Sequence, residues 1–355
     1  MKNAKTALVL TSRTGGGHVS AAQAYAYWLG RWGWQARVLD VLPAINGRIT
    51  NLLYRVPKTY KQLFEISNNE NIAQMMTASL RLEVERRLKK LAPDYRSADL
   101  VISTHPLLHP RRGRRKVMVL LDPVVHALYT VKPRPDYYFS FWPEVLPDIK
   151  RWGIRVAKVI QAGPLARPAF YHSPRLKLPP PPEYKLALVM AGSAWIHRAE
   201  VYLELFKNTF KNEKVIFVFM CGKNATFARE MTRKYRRYPN FKFLGWLNEE
   251  EVAAWMRLAD FGLAFSLAQM GVEAGLCQLP IFILRLIEGQ EDGYREVIEN
   301  RGVGMFLPGD PVNQVALLKI LYPHVKLLFG KNLAVWQKEL LAAPNHLKKT
   351  LERLF

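Results

Sequence analysis

The chain has 355 residues, 49% of them hydrophobic, enough to bury two cores and, at ordinary domain sizes, to form two domains. Lysine and arginine total 52 against 29 aspartates and glutamates, a formal net charge of +23, and the only cysteines are Cys221 and Cys277. This composition excludes a disulfide framework and a cysteine-rich metal site, and points to a reducing compartment.

From the N-terminus, the polar stretch Met1 to Thr6 and the short apolar run behind it are too small for a secretory signal. The run Ala7 to Leu10 predicts a strand, Gly15, Gly16 and Gly17 a turn, and Val19 to Leu29 a helix, with His18 at the junction. Glycines let backbone N–H groups approach a ligand, and a helix N-terminus favours anions, so the junction suits a phosphate site with a base beside it. The spacing is not that of a dinucleotide fingerprint, and near the second strand only Asp40 offers a ribose contact. A tight turn with an incidental histidine is the plainer alternative.

Further strands are expected at Ala36 to Val41, Leu100 to Ser103, Val117 to Leu121 and Tyr137 to Phe141. Between the second and third of these runs, Ile45 to Leu91 reads as helix throughout. Ile49, Leu52, Leu53 and Val56 share a face flanked by Arg48, Arg55, Lys58 and Lys61, and Pro57 is expected to break the helix. That stretch, to Phe64, fits contact with an anionic membrane as well as it fits a core. Leu80, Val84, Leu88 and Leu91 read as a core-facing stripe with a solvated basic back. Arg111, Arg112, Arg114, Arg115 and Lys116 form a second basic cluster suited to phosphates or headgroups.

Pro179 to Pro182 cannot continue a helix or a central strand and predict a semi-rigid linker. Beyond it, runs at Lys185 to Met190, Val215 to Met220, Phe241 to Leu244, Phe261 to Phe265, Pro280 to Leu284 and Gly304 to Leu307 alternate with amphipathic stretches. The fold class expected is α/β, with two doubly wound domains, 1–178 and 179–355, facing across a cleft, and ligands at the carboxyl ends of their strands. Phe261 to Leu284 is the longest apolar region, but Gln269, Glu273, Gln278 and Pro280 interrupt it, so it does not read as a bilayer span. A chain cut after Leu178 carries +18 before the cut and +5 after it, and such a field attracts an anionic surface. Neither a zinc spacing nor an RNA-recognition motif accompanies the charge, so nucleic acid is not the expected partner.

Thr11-Ser-Arg-Thr-Gly-Gly-Gly-His18, Val101-Ile-Ser-Thr-His-Pro-Leu107, Leu121-Asp-Pro-Val-Val-His126 and Gly163-Pro-Leu-Ala-Arg-Pro168 occur in the order seen in monogalactosyldiacylglycerol synthases and diacylglycerol glucosyltransferases, and the chain resembles that family. Cys221-Gly-Lys-Asn224, Gly245-Trp246, Trp255-Met-Arg-Leu-Ala-Asp260, Glu273-Ala274 with Leu279-Pro280, and Gly289-Gln-Glu291 look like its donor-binding landmarks. The family is similar, more distantly, to the peptidoglycan enzyme that adds N-acetylglucosamine to a lipid-linked precursor. The resemblance implies the GT-B fold, a nucleotide-sugar substrate such as a UDP-sugar, no catalytic metal or further cofactor, and an inverting transfer to diacylglycerol. The enzyme would then be cytoplasmic and peripheral on the inner face of the cell membrane.

On this resemblance His18 is the base that takes the acceptor proton, biased toward neutral imidazole by the helix dipole, and Asp122 with His126 is the other candidate base or acceptor anchor. Gly16, Gly17 and His105 would shape the acceptor pocket, although His105 before Pro106 also fits a simple turn. Glu273 falls where the family binds the ribose hydroxyls. Gln290 and Glu291 fall where it grips the sugar and diphosphate, Arg167 at a phosphate-binding arginine, and Trp246 among the donor landmarks. Gly192 and Ser193 follow the first strand of the second domain, where backbone N–H groups would face the diphosphate. The loops Ala191-Gly-Ser-Ala-Trp195 and Ser266-Leu-Ala-Gln-Met-Gly271 carry fewer glycines than the family's. A nucleotide-sugar epimerase on the same fold and a non-catalytic lipid-binding paralogue are the rival readings.

Overall fold

The computed structural model describes residues 4–13, 16–42, 57–172, 183–191 and 196–354. The expected basic helix face from Ile49 to Val56, the proline linker, Gly15, Gly192 and Ser193 lie outside the described residues. Two compact units result: unit 1 comprises Met1–Pro168, Glu288–Gly293 and Ala342–Phe355, and unit 2 comprises Ala169–Ile287 and Tyr294–Leu341. In place of the single expected boundary at 178, the chain returns twice to unit 1, and its first return carries Gln290 and Glu291.

Unit 1 is built on β1 (Thr6–Thr11), α1 (Gly16–Arg31), β2 (Gln35–Asp40), α2 (Pro57–Ser67), α3 (Glu70–Leu91), β3 (Leu100–Ser103), β4 (Arg115–Leu120), β5 (Tyr137–Ser140), α4 (Leu146–Arg151) and β6 (Val159–Gln161). Its strands pair in parallel in the order β2-β1-β3-β4-β5-β6. Chain direction across the sheet reverses between β1 and β3, the topological switch point where α/β folds place their ligands. Alanines and the i, i+4, i+8 set Ala21, Tyr25 and Leu29 give α1 a narrow buried face. Tyr25 stacks at 6.4 Å on both Phe139 and Phe141.

The helix α3 is capped by Asn69, whose side chain accepts from the N–H groups of Asn71 and Ile72. Its Leu80, Val84 and Leu88 pack with Leu8, Leu10, Leu39 and Val101, as the stripe predicts, while Leu91 is exposed. Pro57 is the first residue of α2, a position that needs no N–H. β6 went unread in the sequence: three half-buried residues give no apolar run.

Unit 2 contains β7 (Lys185–Met190), α5 (Glu200–Thr209), β8 (Val215–Met220), α6 (Ala225–Lys234), β9 (Phe241–Leu244), α7 (Glu249–Leu258), β10 (Phe261–Ala264), α8 (Ala268–Leu276), β11 (Ile281–Ile283), β12 (Gly304–Phe306) and α10 (Pro311–Leu321). Two helices carry chain of both units: α9 (Asp292–Asn300), ahead of β12, and the C-terminal α11 (Val325–Leu354). The parallel order is β12-β11-β10-β7-β8-β9, with its own switch between β7 and β10. Phenylalanines fill this core, with Phe206 and Phe217 stacked at 4.5 Å and Phe217 and Phe241 at 5.7 Å. The long apolar region Phe261 to Leu284 is the β10-α8-β11 unit, buried by its neighbours. Among the described residues no helix is long and apolar enough to cross a membrane.

Candidate active site

The His18 side chain hangs from the first turn of α1, directly after β1, and meets the residues that follow β3. Its Nδ1 lies 2.6 Å from the Thr104 carbonyl oxygen. A carbonyl only accepts, so Nδ1 carries the proton and Nε2 keeps its lone pair. Thr104 is held in turn: its hydroxyl donates to the His18 carbonyl at 3.0 Å and lies 3.1 Å from the Thr11 hydroxyl, and its N–H donates to the Leu10 carbonyl. β1, β3 and α1 are thereby tied together at the switch point.

Burial holds the His18 imidazole down to about 4, against the opposing effect of the Thr104 bond. The ring is thus neutral near pH 7, with burial the leading cause. His105 packs its ring 4.5 Å from that of His18, and its Nδ1 accepts the Leu107 N–H at 3.2 Å. Burial, and then the neighbouring His18, push His105 well below the ordinary histidine value. Two adjacent neutral imidazoles result. Gly16 and Gly17 open α1, and among the described residues outside that helix a methyl group added at Gly16 would meet nothing within 4 Å.

Asp122 and His126 sit on the loop after β4, which is pinned at several points. The Trp142 indole donates to the Leu121 carbonyl at 2.7 Å, the Trp152 indole to the Val125 carbonyl at 2.8 Å, and the Val125 N–H to Asp148 at 2.9 Å. Asp122 is buried. His126, expected at the acceptor site beside Asp122, has both ring nitrogens engaged in this arrangement. Nδ1 accepts from the Leu128 N–H at 3.1 Å, and Nε2–H donates to the Phe64 carbonyl at 2.9 Å. Through the Phe64 contact it joins the β4 loop to α2.

The same face of α2 receives the Glu288–Gly293 segment of unit 1. The Tyr60 hydroxyl donates to Gln290 Oε1 at 2.5 Å, and Lys61 pairs with Glu288 at 3.4 Å. Gly289 adopts φ +84°, and a Cβ there would lie 2.8 Å from the Phe64 ring; one at Gly293 would lie 3.0 Å from Pro123 and Val124. Glycine is therefore required at 289 by conformation and by contact. Glu291 is completely buried. Phe64 touches both the His126 ring, at 4.4 Å, and the Gly289 backbone, so α2 brings the neighbourhoods of His126 and Gln290 together. Neither Tyr60 nor Thr104, the latter inside the Val101–Leu107 motif, was given a role by the sequence, since their partners lie 230 and 86 residues away. Arg167 is partly buried in the loop after β6.

In unit 2, Glu273 lies on α8, which follows β10 at the second switch point, and is only 4% exposed. A carboxylate so placed is a ready acceptor for hydroxyl donors. Trp246 is 67% exposed, with the Lys223 ammonium 5.0 Å from its ring centre. Asn224 caps α6 by accepting the Phe227 N–H. Burial raises the thiols of Cys221 and Cys277 to about 12, so neither is a nucleophile.

No family model matches the chain. Among curated proteins, a processive diacylglycerol β-glucosyltransferase of Bacillus subtilis is 24% identical over 327 residues, 86% of this chain and 84% of that protein. The protein of the same name from Bacillus thuringiensis is 24% identical over 356 residues, covering 92% and 88%. Among solved structures, the glycotransferase of kitacinnamycin superposes with a TM-score of 0.63 at 14% identity, covering 99% of each chain. The calicheamicin glycosyltransferase superposes with a TM-score of 0.61 at 13% identity, covering 99% of this chain and 98% of the other. The fold is that of GT-B glycosyltransferases, and the relatives carry the name of the family that the motifs resemble.

Proposed function

We propose that the chain is an inverting glycosyltransferase that moves a hexose from a UDP-sugar to diacylglycerol at an anionic membrane surface. The observation that carries this reading is the state of His18: neutral, with its proton fixed on Nδ1 by Thr104 and a lone pair left on Nε2, at the switch point of unit 1. The acceptor hydroxyl gives its proton to Nε2 as its oxygen bonds to the anomeric carbon. The bond from that carbon to the diphosphate breaks, and its electron pair leaves with UDP. Attack from the face opposite the leaving group inverts the centre. As positive charge develops on the imidazole, the Thr104 carbonyl stabilises it through the Nδ1–H bond.

Glu273, in this reading, accepts from the ribose hydroxyls, while Gln290, Glu291 and Arg167 hold the sugar and diphosphate. Asp122 orients the acceptor. The names of the Bacillus relatives support the acceptor class, and the +18 excess before residue 179 supports an anionic surface that brings the enzyme to its lipid.

The test is transfer from labelled UDP-glucose and UDP-galactose to diacylglycerol in mixed micelles. His18→Ala is expected to lower turnover by about a hundredfold or more with donor affinity little changed. In the wild type, kcat/KM is expected to hold level down to about pH 5, since the base titrates at about 4. Release of an epimerised nucleotide sugar without transfer would favour the epimerase reading. Lipid binding without turnover of any donor would favour the non-catalytic one.

A further inference from the structure

The strand order of unit 2 ends at β9, and among the described residues no strand pairs with its outer edge. Asn240 and Leu244 turn their carbonyls to β8, where they accept the N–H groups of Phe217 and Cys221. Backbone groups alternate in direction along a strand, so Phe243 turns its N–H and carbonyl outward, toward the open edge.

The two ends of β9 carry opposite charge. Before it, Arg236 and Arg237 join Arg233, Lys234 and Tyr238 around an open depression of about 820 Å³. Lys234 lies 3.9 Å from Glu200, whereas among the described residues Arg233, Arg236 and Arg237 stand in no ion pair. After it, α7 opens with Glu249, Glu250 and Glu251. Glu251 is engaged in the capping box with Asn248, while among the described residues Glu249 and Glu250 stand in no ion pair. Tyr238 and Trp246, 40% and 67% exposed, are the exposed aromatic side chains among the described residues, and they flank the strand at its two ends. Exposed aromatics and arginines are the side chains that interfaces favour.

An edge strand with opposite charges at its ends is complementary to an antiparallel copy of itself. Centred on Phe243, such a pair exchanges both N–H···O bonds between Phe243 and its own copy and sets Lys242 opposite Leu244. Counting outward brings Arg237 and Arg236 level with Glu249 and Glu250 of the second copy, and the two-fold axis makes each contact twice. Centring on Lys242 instead would oppose two ammonium groups with no backbone bond between them. We infer that the chain forms a symmetric dimer through antiparallel β9 edges, in which the first turn of α7 of one copy enters the Arg236–Arg237 depression of the other.

Analytical ultracentrifugation of the full chain measures the dimer Kd. Wild type is expected to dimerise at low salt and to weaken at least about tenfold at high salt. R236E/R237E and E249R/E250R are each expected to weaken dimerisation at least about tenfold, because like charges then meet twice. Their equimolar mixture is expected to recover the wild-type Kd within about threefold, since a heterodimer of the two variants restores both sets of opposite charges. The control R37E/R86E changes two exposed cations of unit 1 and is expected to stay within about twofold. Circular dichroism verifies folding, and E249Q/E250Q, with a smaller loss expected, serves if the reversal in α7 is unstable. A monomeric wild type, dimerisation that neither swap weakens, equal loss in the control, or a mixture that stays monomeric would overturn the β9 interface.

Discussion

Acidification should destabilise unit 1 through its buried histidines, and the size of the effect follows from their surroundings. His18 and His109 are both held at about 4, burial being the leading cause in each. In the unfolded chain a histidine titrates near 6.5, so between these values the unfolded state binds more protons than the folded one. The contribution to stability is complete above pH 6.5 and is lost as pH falls from there toward 4. Between pH 7 and pH 5 each such histidine removes about 2 kcal/mol, and the two together about 4. His105 and His126, also lowered by burial, act in the same direction. His109 is the informative position, because its Nε2–H donates to the Leu128 carbonyl at 2.7 Å and a glutamine amide can take over that bond. The assay is urea unfolding followed by tryptophan fluorescence at pH 7, 6 and 5, in wild type and His109→Gln. Wild type is expected to lose at least about 4 kcal/mol over this range, and the variant about 2 kcal/mol less. The same pH dependence in both proteins would refute the reasoning, because it would mean that His109 binds its proton equally in the folded and unfolded chains.

Tyr60→Phe keeps the ring against Phe64 but removes the donor that holds the Gln290 carboxamide, so the donor KM should rise about three- to tenfold with a smaller change in kcat; an unchanged KM would detach Tyr60 from donor binding. Glu273→Gln preserves size while weakening a charge-assisted acceptor, and calorimetry should find UDP binding weaker by about 1.5 to 3 kcal/mol. Equal UDP affinity in that variant and wild type would remove Glu273 from the donor site.

Parallel strands covered on both faces must be apolar along their length, which is why Lys185–Met190, Val215–Met220 and Leu100–Ser103 were legible in the sequence to the residue. The strand-turn-helix with His18 was legible for the same reason: glycines and an apolar run are local signals. β6 was not, being too short and too exposed to carry a pattern. What only the tertiary structure decided were relations between distant residues. The Thr104 carbonyl fixes the His18 tautomer, Phe64 and Leu128 occupy both nitrogens of His126, and Tyr60 reaches Gln290 across 230 positions of sequence. The basic run 111–116 read as one cluster until Asp99 and Asp136 neutralised part of it and α3 supplied Arg81 to the rest. Residue type sets which groups can hold a proton or a charge. Whether they do so depends on burial and on partners that come close only when the chain has folded.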